Sequence, residues 1–254
     1  MMDLVINPTS DPHARFIESR KSRDNPYRDF YTWRDGKDGR EPNNWGAHFS
    51  RSAWTLDAGT GQYYLHTFSP QQPDLNWENP RMRQALYGMI RWWLGKGVDG
   101  FRLDAISFIA KTPGLPVNPG SERYIFDRRH MMNGPALHEH LRELNAQAWA
   151  RYDIVTLGEC TRLTIQDAID LSPPARGELD MPFLFEHIDA AYRFGKDARR
   201  LKEILARWQV GMHGQGWLGV TFNNHDGSRV VSLFGNDTRL REASARLFAT
   251  LLLT

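Results

Sequence analysis

Gly97-Val98-Asp99-Gly100-Phe101-Arg102-Leu103-Asp104 is a short apolar run that closes on a charged pair, and it follows directly on a stretch of helical period. In that stretch Met82, Leu86, Met89, Ile90 and Trp93 recur at helical spacing, which places them on one face of a helix over 80–95. An amphipathic helix leading into a buried strand over 98–104 is half of a βα repeat. Outward from it, further strands are predicted over 2–7, 154–159, 179–185 and 217–223. Helices are predicted over 135–152, 164–170, 198–211 and 239–254. Strands alternating with helices predict an α/β fold with a parallel sheet.

A closed barrel of this kind needs eight strands, and five can be counted, so the expected fold is an incomplete TIM (β/α)8 barrel. Residues 9–79 interrupt the rhythm. They are rich in Asp, Asn, Gly, Pro and aromatics and too long for a simple connection. They read as an excursion domain inserted after the first strand, leaving 1–8 and 80–254 to the barrel. The chain begins almost inside a strand and stops inside an apolar helix at Leu251-Leu252-Leu253-Thr254, which suggests a barrel truncated at both ends.

Composition narrows the class. An apolar fraction of 41% and a charged fraction of 24% are those of an ordinary globular protein. Basic residues number 32 against 30 acidic ones, a net charge of +2, and they are interleaved, so nucleic acid is not the expected partner. The cluster Arg199, Arg200 and Lys202 reads as a solvated helix face. One cysteine, Cys160, excludes an internal disulfide and a cysteine-based metal site and fits a reducing cytoplasm. No apolar tract approaches the ~20 residues of a membrane span, so neither a membrane nor a leader peptide is expected.

The strand ends carry the chemistry. In a parallel α/β barrel the C-terminal ends of the strands converge on one face, so carboxylates distant in sequence meet there. Asp104 ends one strand, Glu159 ends Val155-Thr156-Leu157-Gly158-Glu159, and Asp226 follows Asn223-Asn224-His225. Cleavage of a glycosidic bond with retention needs one carboxylate to attack and one carboxyl to protonate the leaving oxygen, ~5 to 5.5 Å apart. Two of the three would supply that pair. Arg102, two residues before Asp104, lies on the same side of its strand and offers it a counter-charge. Taken singly, a strand-end Asp is as often a helix cap, and Asn223 to Gly227 is also a good turn sequence.

With those residues in view, 97–104, Leu157-Gly158-Glu159 and Asn223-Asn224-His225-Asp226 resemble the second, third and fourth signature segments of the α-amylase family, glycoside hydrolase family 13. Gln72-Pro73-Asp74-Leu75-Asn76 is similar to the segment that marks its oligo-1,6-glucosidase and α-glucosidase subgroup, and Asn25 to His66 carries motifs similar to that subgroup's excursion domain. The resemblance implies that the piece holds about strands 3 to 7 of the barrel. It implies a retaining α-glucosidase acting on a short oligosaccharide or disaccharide, with Asp104 as nucleophile, Glu159 as acid and base, and Asp226 as the third carboxylate. Arg102, His225, Phe68 and Gln72 would contact the same glucosyl unit, with Arg229 nearby. Ala105, the residue after the nucleophile, leans toward α-1,4 over α-1,6 linkages. No metal or other cofactor is implied for this stretch, since the calcium-binding loop of full-length relatives would lie upstream.

One departure stands out. The first signature segment ends in Asn-His, whereas here Asp3-Leu4-Val5-Ile6-Asn7 is followed by Pro8, which cannot offer an imidazole hydrogen bond. Impaired activity is the expectation that follows. The competing readings are an inactive gene fragment, a non-catalytic relative such as a transporter heavy subunit, and a sucrose isomerase or trehalose-acting enzyme with the same carboxylates.

Overall fold

The computed structural model describes residues 1–253; Thr254, the predicted end of the last helix, lies outside the described residues, as do the side chains of Arg128 and Pro174. The chain divides into two compact units, Met1–Val155 and Thr156–Thr254.

The first unit comprises β1 (Met2–Val5), α1 (Ala14–Ser19), β2 (Trp33–Asp35), β3 (Trp54–Asp57), β4 (Gln62–Leu65), α2 (Pro80–Leu94), β5 (Gly100–Asp104), α3 (Arg128–Met131) and α4 (Leu137–Leu144). Helix α2 starts where its sequence says it should. The Asn79 side chain accepts from the backbone N–H groups of Arg81 and Met82, and Pro80 stands at the first turn, where its missing N–H costs nothing. Met82, Tyr87, Ile90 and Leu94 are its buried face. The chain then turns through Gly97, whose φ of 89° favours glycine, into β5. At Gly100 a Cβ would lie 2.5 Å from the Val155 carbonyl oxygen, so only glycine allows that approach. β5 runs parallel to β1, with Asp3 opposite Arg102 and Val5 opposite Asp104.

Within 9–79 lies an antiparallel sheet of order β2-β4-β3. Its strands have only three or four residues each and are separated by turn-formers, too short for a periodic signal in the sequence. Their apolar faces join a core of Trp45, Trp54, Leu65, Ala105, Phe108 and Met132, so the segment packs on the turn that follows β5.

Beneath that turn lies a buried polar hub. Lys111 Nζ is 2.9 Å from Asp74 Oδ2 and donates to Asn7 Oδ1 at 3.0 Å and to the Phe108 carbonyl at 2.7 Å. Asn7 Nδ2 donates to Asp74 Oδ1 at 3.2 Å, and the backbone N–H of Thr67 donates to the same oxygen at 3.0 Å; the Thr67 hydroxyl bonds Asp74 Oδ2. Asp74 is fully buried and the Lys111 side chain is 9% exposed. Charges so placed persist only when paired and hydrogen-bonded.

The second unit begins inside β6 (Val155–Gly158) and continues through α5 (Ile165–Leu171), β7 (Met181–Leu184), α6 (Glu186–Phe194), α7 (Ala198–Met212), β8 (Gly219–Val220), α8 (Val230–Leu233) and α9 (Arg241–Leu253). β6 with β7 and β7 with β8 pair in parallel, Leu157 opposite Met181 and Phe183 opposite Gly219. Thr164 and Asp167 form a reciprocal capping box that starts α5. The core of this unit is Ala168, Leu184, Ile204, Trp208 and Met212.

Two expected elements change in extent, and helix α6 was not expected. The helix expected over 135–152 is α4 followed by a π-helical turn, Asn145–Trp149. The strand over 217–223 shortens to Gly219–Val220, and Trp217 is left 72% exposed. α6 escaped the sequence reading because it follows β7 at once and its cap position, Phe185, makes no side-chain bond to announce it.

Lys111→Met leaves the Asp74 carboxylate buried without its counter-charge and is expected to cost about 3 kcal/mol or more. Asp74→Asn combined with Lys111→Gln should cost less than the two single changes added. Urea unfolding of the three variants checks both statements. His66, buried with Nε2 2.9 Å from the Thr55 hydroxyl, has its pKa held at about 4 rather than 6.5, chiefly by burial, which outweighs the nearby Asp74 carboxylate. Between those values the unfolded chain takes up a proton that the folded chain refuses, so stability falls as pH drops from 6.5 toward 4. Urea midpoints measured across that window should show the decline, and His66→Gln should flatten it.

Candidate active site

Asp104 is the last residue of β5, and the two-residue strand period brings Arg102 to the same side. Arg102 Nη1 donates to Asp104 Oδ1 at 2.6 Å and to Asp3 Oδ1 at 2.7 Å. Asp3 reaches it because the β1–β5 register sets Asp3 directly opposite Arg102. One guanidinium nitrogen is thus held between two carboxylates. The Arg102 side chain is only 14% exposed, which strengthens both ion pairs relative to surface ones.

Immediately after Asp104 the backbone breaks direction. Ala105 adopts φ 44° and ψ 39°, a left-handed conformation that residues other than glycine seldom take and that tends to mark functional sites. The chain continues as a fully buried 3₁₀ turn, Ile106–Ile109, with the Phe108 N–H donating to the Ala105 carbonyl at 2.9 Å. Phe68 packs on this turn, its ring centroid 5.2 Å from that of Phe108, and meets Phe49 at 6.0 Å. Arg102, Asp104, Ala105 and Phe68 are therefore connected through one short segment.

Gln72 faces a different surrounding. With Pro8, Thr9, His13 and Tyr31 it lines a cavity of about 400 Å³ whose other wall is the Met82 side of α2. Pro8 itself is accommodated without loss of backbone bonding. The Asn7 carbonyl accepts from Leu75 N–H at 2.8 Å and the Thr9 N–H donates to the Pro73 carbonyl at 3.1 Å, so the position between them needs no donor.

In the second unit Glu159 follows β6 directly and is partly buried, next to the buried Cys160. β6 is fixed by Thr156, whose N–H and hydroxyl both donate to Asp180 Oδ2 at 2.7 Å. His225 and Asp226 lie together, Nε2 to Oδ1 3.4 Å, in the turn after β8, and the Asp226 N–H donates to Asn224 Oδ1 at 3.0 Å. Arg229 is exposed and stands at the start of α8.

Sequence reasoning missed Asp3 as the second partner of Arg102 and missed Lys111 altogether. The register of β1 against β5 exposes the first. Nothing in the spacing of Lys111, seven positions beyond Asp104, signals the second. Among the described residues no group of three or more His, Cys, Asp or Glu side chains is placed to hold a metal ion, and the buried Asp74 is met by an ammonium instead. Among the same residues no helix is long and apolar enough to cross a membrane.

The family model for the alpha-amylase catalytic domain matches residues 1–254. The chain is similar to the oligo-1,6-glucosidase of Bacillus cereus, 51% identical over 260 residues that make up 99% of this chain and 47% of that protein. It is similar to the oligo-1,6-glucosidase of Halalkalibacterium halodurans, 50% identical over 99% of this chain and 46% of that one. Among solved structures, trehalose-6-phosphate hydrolase of Bacillus licheniformis superposes with a TM-score of 0.91 at 42% identity, over 99% of this chain and 46% of its own. The chain spans about half the length of the curated relatives it matches. The parallel strand pairs of each unit fit the incomplete TIM barrel expected, and on the strength of the full-length match the chain belongs to the alpha-amylase catalytic-domain family.

Proposed function

We propose that the chain carries the catalytic core of a retaining α-glucosidase that removes terminal glucosyl units from short oligosaccharides. The observation that carries the reading is the Arg102–Asp104 pair at the end of β5, followed by the left-handed turn at Ala105. Arg102 engages Asp104 Oδ1 and leaves Oδ2 to attack the anomeric carbon. In the first step the C1–O bond breaks, the Asp104 ester forms, and the leaving oxygen takes a proton from Glu159. In the second, Glu159 removes a proton from water, water attacks C1, and Asp104 is released. Asp226 binds the sugar hydroxyls and favours the distorted ring, with His225 beside it. The family resemblance also assigns Phe68, Gln72 and Arg229 to the glucosyl unit, and of these Gln72 lines the separate cavity beside Pro8. No resident cofactor is needed, because carboxyl groups supply both nucleophile and proton. The excursion over 9–79 closes the pocket and favours exo-action.

Ala105 leans toward α-1,4 linkages, as in maltose. A second reading, α-1,6, is favoured by the names of the two oligo-1,6-glucosidases to which the chain is similar, and competition between maltose and isomaltose decides it. Replacement of the expected imidazole by Pro8 removes a donor and lowers the rate.

The test uses nitrophenyl α-glucoside and two proteins: the chain itself, and a chimaera in which 1–254 replaces the matching part of the Bacillus cereus oligo-1,6-glucosidase. Turnover is expected in the chimaera, reduced by roughly 10⁴-fold or more in Asp104→Asn. Pro8→His should raise it. Turnover insensitive to Asp104→Asn, or release of β-glucose as the first product, rejects the assignment.

A further inference from the structure

The chain contains five steps in which Asp or Asn precedes Gly: Asp35-Gly36, Asp38-Gly39, Asp99-Gly100, Asn133-Gly134 and Asp226-Gly227. Such steps are the places where a backbone nitrogen reaches the preceding side-chain carbonyl carbon, of a carboxyl in Asp or a carboxamide in Asn, most easily, because glycine presents no Cβ and its backbone turns freely. Reaction needs three things: an accessible carboxyl, an unengaged glycine N–H, and freedom to bring the two together. Three of the steps lack at least one of them, and a fourth is held in a closed turn.

Gly100 lies inside β5, pressed against the Val155 carbonyl. The N–H of Gly134 is committed to the Ala110 carbonyl at 2.9 Å. The Asp35 carboxylate accepts from Gln62 Nε2 and pairs with Arg23, both at 3.1 Å, and Gly36 is crowded by the Arg40 carbonyl. Asp38-Gly39 forms the tip of a turn closed by two backbone bonds between Lys37 and Arg40, each 3.0 Å.

Asp226-Gly227 combines all three conditions. Its carboxylate is 64% exposed and its side-chain partner is His225, itself 66% exposed. The Gly227 N–H makes no hydrogen bond among the described residues, and the step lies in irregular chain between β8 and α8. Backbone bonds near the step run from Asp226 N–H to Asn224 Oδ1 and from Ser228 N–H to the Tyr192 hydroxyl at 2.7 Å, and neither engages the Asp226 carboxylate or the Gly227 N–H.

We propose that Asp226-Gly227 is a self-modification site at which the chain forms a succinimide and then isoaspartate. The Gly227 nitrogen attacks Asp226 Cγ. The carboxylate oxygen takes up a proton from solvent, with His225 Nε2 3.4 Å from Oδ1 placed to relay it, and the Cγ–O bond breaks. That oxygen leaves as water, taking the proton that the nitrogen releases. Water then opens the ring at either carbonyl, restoring aspartate or moving the main chain onto the side-chain carbon. Isoaspartate lengthens the backbone by one carbon and shortens the carboxylate arm by one, so the acid at this position is withdrawn. The inference stands apart from the proposed function, since it concerns the chain's own covalent state.

The test is ageing of the purified chain in neutral buffer, followed by peptide mapping, mass spectrometry and labelling with protein isoaspartate methyltransferase. The peptide bearing Asp226 should first lose the mass of one water and then split into two isomers of unchanged mass, ahead of the peptides carrying the other four steps. Gly227→Ala and Asp226→Glu should each lose the signal, and His225→Gln should slow it. Should one variant unfold, the other still decides the matter. A guanidinium-denatured sample gives the unrestrained ranking of the five steps. An unmodified Asp226 peptide while Asp38-Gly39 converts, or a folded-state ranking identical to the denatured one, overturns the proposal.

Discussion

Removing the Lys111 ammonium from its site would leave the Asp74 carboxylate, the Asn7 side-chain carbonyl and the Phe108 backbone carbonyl without the cation that joins them. Those groups come from three places in the chain: the end of β1, the return of the 9–79 segment, and the turn after β5. Desolvating an ion pair is costly, and it persists here because Asp74 also accepts from Asn7 and Thr67. The pair gives the first unit its order, since it lets a long polar insertion be fastened to strand ends that would otherwise face water. Its strength depends on dryness, so the aromatic core around Trp45 and Trp54 and the polar hub support each other.

The turn after Asp104 depends on that fastening. A left-handed alanine costs on the order of 1 kcal/mol and persists only where the surroundings over-determine it. Here the Ile106–Ile109 turn is buried, Phe68 and Phe108 pack together, and Lys111 ties the Phe108 carbonyl down. The same turn follows the Asp104 carboxylate at the strand's end, where Arg102, itself held by Asp3, fixes it. Strain, packing and charge thus converge on one side chain, which is the reason Asp104 carries the functional reading.

Much of this was legible before any coordinates. The helical period of Met82 to Trp93 and the apolar run into Asp104 specified α2 and β5 nearly to the residue, because both elements bury one continuous face. Arg102 could be paired with Asp104 from strand alternation alone. What was not legible is non-local. Asp3 meets Arg102 only through the register of a strand roughly a hundred positions away, and Lys111 finds Asp74 across a fold that its neighbours in sequence do not announce. The short strands β2 to β4 are stabilised by their aromatic partners rather than by their own propensity, so a period search passes over them. Pro8 was legible as a departure from the family pattern. That its backbone position needs no donor emerged only from the crossing of 7–9 with 73–75.

The most direct measurement is the identity of the residue that carries a trapped glucosyl group. The chimaera bearing 1–254 is incubated with a fluorinated α-glucosyl fluoride, a reagent that forms the covalent intermediate faster than water removes it, and then digested and mapped by mass spectrometry. A single adduct on Asp104, absent in Asp104→Asn, is the predicted result. An adduct on another carboxylate, or turnover with no adduct and inverted product, contradicts Asp104 as the nucleophile.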